Sequence, residues 1–154
     1  MQNTKSGYST ETPVEPILPG FHSVPPYMSV KGVAQAIDFY KRAFGAQERY
    51  RLPGYDPNMV SHAEITIGNS TIMLADETLE YWNQPRLRHK EIPLDYAIYA
   101  KDVDTAFKRA VAAGASVIRP VADQLHGDRA GCIEDPFGHT WTIMTHQEHA
   151  SPEE

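Results

Sequence analysis

The order strand, helix, strand, strand, strand occurs twice along this chain, and that repetition restricts its fold more than any other feature. The β-branched and aromatic stretches Ser23 to Val30 and Leu94 to Ala100 each run directly into a helical pattern. In the first helix Val33, Ala36, Ile37, Tyr40 and Phe44 recur at three- and four-residue spacing, and Gly45 supplies the stop. In the second, Val103, Ala106, Phe107, Ala110 and Val111 form the apolar stripe, Asp102 is placed to cap the start and Gly114 ends it. Three short strands follow each helix. In the first half they are Gln47 to Leu52, Ser61 to Ile67 and Ser70 to Leu74; in the second, Ser116 to Val121, Arg129 to Glu134 and Thr140 to Thr145. Gly68-Asn69 and Asp135-Pro136-Phe137-Gly138 are strong hairpin turns between the last two members of each set. The residues repeat with the pattern: Tyr40-Lys41-Arg42-Ala43 before Gly45-Ala46 echoes Phe107-Lys108-Arg109-Ala110 before Gly114-Ala115. The expectation is an α+β fold built from two βαβββ modules.

At 154 residues, one core suffices. The division expected is a flexible N-terminal arm over 1–20, a single domain over 21–146 with modules at about 21–80 and 93–146, and a frayed acidic tail over 147–154. Pro13, Pro16 and Pro19 keep the arm from forming a helix. With 14 Lys plus Arg against 20 Asp plus Glu, the formal charge of −6 disfavours a nucleic-acid partner. The single cysteine, Cys132, permits no internal disulfide and no Cys-based zinc site. No apolar run approaches the ~20 residues of a membrane span, and Met1 to Thr12 lacks the signal-peptide pattern, so the chain reads as a soluble cytoplasmic domain. There is no Gly-x-Ser-x-Gly, no glycine-rich strand-to-helix loop and no His-Glu-x-x-His.

Seven segments, in order from Phe21 to about His146, resemble the vicinal oxygen chelate superfamily, also called the glyoxalase, bleomycin resistance protein and dioxygenase superfamily, and within it the PhnB-like branch. They are Pro26 to Val30, Ala36 to Ala46, His62 to Ile65, Ile72 to Asp76, Asp102 to Asp104, His126 to Arg129 and Asp135 to His139. The resemblance implies that each module curls its sheet around a concave face, and that members commonly dimerise and use the concavity as a ligand or active site. It also implies where metal-using members place ligands: near the start of the first strand and on the last strand of each module. Those positions here are Pro25, Asp95, Met73 and Thr142. Only Asp95 ligates readily, and a divalent ion wants at least three nitrogen or oxygen donors, so neither metal nor other cofactor is expected. A shifted set, His22, His62, Glu64 and Asp95, is the rival.

Period-two alternation sends Ala63, Ile65 and Ile67 to the helix and His62, Glu64 and Thr66 to the concave side, joined by Thr71, Met73 and Ala75. Matching positions add Tyr27, Asp95, Ala97, Tyr99 and Thr142. The long 77–92 loop offers Trp82 as a stacking residue at the cavity mouth, or as a cover for the sheet edge. Asp128 and Arg129, beside His126, are expected to form a local ion pair, and Cys132 to face a strand interior. The binding set expected is thus Tyr27, His62, Glu64, Met73, Trp82, Asp95, Tyr99 and Thr142, a mixed aromatic, thioether and polar surface suited to a flat organic ligand. The leading expectation is a metal-free, homodimeric small-molecule binder resembling the antibiotic-sequestering members. The alternatives are a lyase or isomerase of the glyoxalase type, with an altered metal site or with metal-independent acid-base chemistry from His62 with Glu64 or Asp95, and a regulatory or interaction module with a vestigial cavity.

Overall fold

The computed structural model describes residues 14–77 and 94–147. The expectations placed on the start of the arm, on Trp82 and the rest of the loop before Leu94, and on the tail beyond Gln147 fall outside them. The first module runs β1 (Tyr27–Val30), α1 (Val33–Phe44), β2 (Gln47–Pro53), β3 (Val60–Ile67) and β4 (Ser70–Asp76). The second runs β5 (Asp95–Tyr99), α2 (Val103–Ala113), β6 (Ser116–Asp123), β7 (Asp128–Glu134) and β8 (Thr140–His146). Each makes a four-stranded sheet in the same order, β1-β4-β3-β2 and β5-β8-β7-β6, with the first strand parallel to the last and the remaining pairs antiparallel. Two βαβββ modules are therefore present. β1 starts at Tyr27 rather than Ser23, because Pro25 and Pro26 have no N–H to donate to a ladder.

The helices start differently. In α2 the cap is local: Asp102 accepts hydrogen bonds from the N–H groups of Asp104 and Thr105. In α1 the N-cap is Gly32, at φ 91°, and the acceptor comes from the far end of the module. The buried Asp76 carboxylate takes the N–H of Gly32 at 2.9 Å, of Val33 at 3.1 Å and of Val60 at 2.6 Å, so one side chain at the end of β4 fixes both helix and sheet.

Each helix covers one face of its own sheet, and the two helices pack on each other. Because α1 also meets the second module, its buried stripe is wider than the sequence suggests and takes in Phe39 and Ala43; the Phe39 ring meets Phe137 and that of Tyr40 meets Trp141. The α2 stripe is narrower, and Val111 is exposed. On the back of β7, Gly131 admits the Phe107 ring where any Cβ would sit 2.7 Å from it. The repeated arginines explain their own recurrence: Arg109 donates to the carbonyls of Arg42 and Lys41, and Arg42 donates to that of Ala113, so each helix caps the other's C-terminus. At the centre, the buried Asp135 carboxylate accepts from the Tyr40 hydroxyl at 2.6 Å, Trp141 Nε1 at 2.9 Å and the N–H groups of Phe137 and His139. The segment read as a hairpin turn is also the joint between the modules.

Candidate binding faces on the two sheets

With the helices between them, each sheet turns its other face away from the α1–α2 contact. On the first sheet, register aligns Tyr27, Met73, Glu64 and Tyr50 in one cross-strand row, with His62 and Leu52 paired beside it. Ala63 and Ile65 are fully buried toward α1, while His62 and Glu64 are half-buried on the opposite side, as alternation requires. The His62 imidazole bridges two groups. Its Nδ1 lies 2.8 Å from the Tyr27 hydroxyl and its Nε2 3.2 Å from Glu64 Oε1. A carboxylate only accepts, so this pairing assigns the ring proton to Nε2 and leaves Nδ1 to accept from the phenol. The Tyr27 and Tyr50 rings flank the imidazole, with centroids 5.5 and 6.3 Å away. Burial, and after it the negative charge of Glu64, push the Tyr27 phenol above its ordinary value. The chain carboxylate–imidazole–phenol is therefore poised to hold a proton at the Tyr27 oxygen.

The end of the arm closes one side of this face. Thr71 Oγ1 donates to the carbonyl of Gly20 at 2.8 Å, Arg49 donates to that of Pro19 at 3.0 Å, and the Arg49 guanidinium lies 5.3 Å from the Phe21 ring centre. Thr71, expected to face the concavity, is thus buried beneath Gly20.

On the second sheet the corresponding row is Ala97, Thr142, Cys132 and Arg119, followed by Tyr99, Met144, Ala130 and Ala122. Small side chains leave a hollow of about 540 Å³ here, with Arg119, Gln124, His126, Cys132, Thr142 and Met144 on its walls. Tyr99 is 73% exposed at its edge. Asp95 is exposed one row away and accepts from the Thr140 hydroxyl. Cys132 is buried, as expected, but also lines this hollow.

The expected site residues accordingly fall into two groups. Tyr27, His62, Glu64 and Met73 come together on the first sheet; Asp95, Tyr99 and Thr142 lie on the second. Asp128 and Arg129 are not paired with each other, because alternation points them to opposite faces. Arg129 reaches Asp104 on α2 and Asp123, whereas Asp128 receives His146 at 2.6 Å and His126 at 3.5 Å. The Asp104 carboxyl is held below the usual carboxylate range by its hydrogen bonds from Arg129. Sequence reading missed Tyr50 and Arg119. Tyr50 stands on β2 and Arg119 on β6, whose bulges shift the register at Glu48/Tyr50 and around Arg119, so that counting alternate residues loses the face.

The donors do not suit a metal of the superfamily's usual kind. Pro25 offers no side-chain donor, Met73 lies against Tyr27 and Glu64, Thr142 lies against Ala97 and Cys132, and Asp95 is on the other sheet from Met73. Among the described residues no group of three or more His, Cys, Asp or Glu side chains is placed to hold an ion, so the shifted set of His22, His62, Glu64 and Asp95 is not gathered either. Among the described residues no helix is long and apolar enough to cross a membrane.

A family model for the Glyoxalase/Bleomycin resistance protein/Dioxygenase superfamily matches residues 22–143. The uncharacterized protein Rv0887c of Mycobacterium tuberculosis (strain ATCC 25618 / H37Rv) is 39% identical over 121 residues, spanning 77% of this chain and 71% of that protein. The crystal structure of TioX from Micromonospora sp. ML1 superposes with a TM-score of 0.63 at 22% identity, covering 84% of this chain and 100% of that one. A PhnB protein from Bacillus cereus does so with a TM-score of 0.63 at 15% identity, covering 80% of this chain and 99% of that one. The two structures speak to the fold alone. The duplicated βαβββ architecture, the family match over most of the chain and the mycobacterial relative agree: this chain belongs to the glyoxalase/bleomycin resistance protein/dioxygenase superfamily.

Proposed function

We propose that the protein is a metal-free binder of small organic molecules, working as a homodimer whose partner sheets close over the open faces. The observation that carries this reading is the pair of sheet faces opposite the helices, where Tyr27, Tyr50 and Met73 surround the polar His62–Glu64 pair on one and Met144, Thr142 and Cys132 line a hollow on the other. Such surfaces stack and desolvate a flat ligand while a few polar groups orient it. Exposed Tyr50, Leu52, Tyr99, Val117 and Ile118 supply the apolar area for an isologous contact. Binding is stoichiometric, in the manner of a sequestering protein. Screening aromatic compounds by thermal shift, with elemental analysis and light scattering on the same purified protein, tests it. A ligand-dependent rise in melting temperature, a dimer mass and no stoichiometric metal are expected. About one transition metal per chain, or a monomer at micromolar concentration, refutes the corresponding part.

A second reading rests on the Tyr27–His62–Glu64 chain, which is built as an acid-base relay. His62→Gln separates the two. In a binder it weakens affinity by about 0.5–1.5 kcal/mol, the worth of one hydrogen bond. In an enzyme it removes turnover by orders of magnitude and leaves binding nearly intact.

A further inference from the structure

We infer that the hollow on the second sheet selects apolar carboxylates, with Arg119 receiving the carboxylate and the Cys132–Thr142–Met144 floor receiving the apolar body. This deepens the binding reading and rests on it. The uncommitted charge of Arg119 carries the inference. Arg42, Arg49, Arg51, Arg109 and Arg129 all donate hydrogen bonds to carbonyls, hydroxyls or carboxylates. Arg119 has no hydrogen-bond or ion-pair partner among the described residues, yet it stands on the wall of the hollow in register with Cys132. A guanidinium left open beside an apolar floor matches a carboxylate bidentately, and matches it in a chain whose net charge of −6 otherwise repels anions.

The neighbouring charges leave Arg119 as the anion's partner. His126 also lines the hollow but is already turned to Asp128, which His146 shares. Asp95 and Glu134 occupy the adjoining row, in register with Thr140 between them. A carboxylate is therefore drawn to the Arg119 side and kept from the Thr140 side, which fixes the ligand's direction across the strands. The apolar end then lies over Met144 toward Tyr99.

The experiment uses the full chain and three acids, 2-naphthoate, indole-3-acetate and 4-phenylbutyrate, each beside its primary amide, by calorimetric titration. At least one acid binds about tenfold more tightly than its amide, as one charge-assisted pair implies, and added salt narrows the difference. Arg119→Gln abolishes the preference without lowering the melting temperature, Arg119→Lys restores part of it, and Lys108→Gln, an exposed cation on α2 away from the hollow, leaves it intact. Equal binding of acids and amides overturns carboxylate selection while leaving small-molecule binding standing. Acid preference that survives Arg119→Gln overturns the assignment to this residue. Binding of no acid and no amide overturns the inference together with the binding reading of this hollow.

Discussion

The two modules share one backbone plan and present opposite surfaces. Tyr27 and Ala97 stand at the same distance before their helices, which begin at Val33 and Val103. Yet the row running from Tyr27 is Met73, Glu64 and Tyr50, whereas the row running from Ala97 is Thr142, Cys132 and Arg119. In the first, two phenols and a methionine occupy the sheet and enclose an imidazole–carboxylate pair. In the second, small side chains leave a hollow with a cation on its wall. Topology fixes where a concave face lies, and side-chain volume at corresponding positions decides whether that face is a filled polar network or an open pocket.

The modules also differ in how buried carboxylates are used, and this gives the largest expected effect. Among the described residues Asp76 receives donors only from its own module, while Asp135 receives Tyr40 across the joint as well as Trp141 and two backbone N–H groups. Asp135→Ala should cost roughly 3–5 kcal/mol, since two buried and two part-buried donors, at about 1–3 kcal/mol for each buried one, lose their acceptor together. Asp76→Ala should cost less, about 2–4 kcal/mol, because it strands three donors rather than four and the Gly32 N–H is only part-buried. Urea unfolding followed by fluorescence and by circular dichroism measures both. If Asp135→Ala costs no more than Asp76→Ala, the modules are not coupled through this carboxylate.

Much of this comparison is legible in the sequence, and its gaps have physical causes. Amphipathic period and glycine stops place α1 and α2, and alternation sorts His62 and Glu64 from Ala63 and Ile65, because both signals are local. The use of Asp135 is not local: its turn signal is plain, but its bond to Tyr40 depends on how the helices pack. The arm's closure over Thr71 depends on two carbonyl acceptors that carry no side-chain signature. Arg119 and Tyr50 are hidden by bulges, which break the count that assigns faces. How the two sheets are set against each other depends on the packing of α1 on α2, which no single strand encodes.

Exchanging the corresponding residues tests whether side-chain volume makes the difference between the faces. Tyr27→Ala should cost about 1–2 kcal/mol, from a half-buried ring and one hydrogen bond, and open a space on the first sheet. Ala97→Tyr, at an exposed position, should change stability by less than about 0.5 kcal/mol while weakening any ligand of the second hollow at least about tenfold. Thermal melts and calorimetric titrations on both variants check this. A ligand that binds Ala97→Tyr as well as the parent protein does not occupy that hollow.

The smallest effect bears on whether the first face is electrically coupled or merely packed. Folding raises the Tyr27 phenol above its ordinary value, chiefly by burial and secondarily through Glu64. The folded state therefore holds this proton more tightly than the unfolded chain does. Its contribution to stability is complete below pH ~10 and is lost as pH rises from there through the raised folded value. Glu64→Gln removes the charge but keeps the shape, so the Tyr27 titration should move down toward the ordinary value without reaching it, because burial remains. The high-pH loss of stability should then begin and end within a narrower interval. Tyrosine Cζ resonances followed against pH, with Tyr27→Phe to assign the signal, measure the shift directly. A Tyr27 titration that Glu64→Gln leaves unmoved means that the carboxylate does not act on the phenol through His62; the first face is then only a packed wall, and the acid-base reading of this protein fails with it.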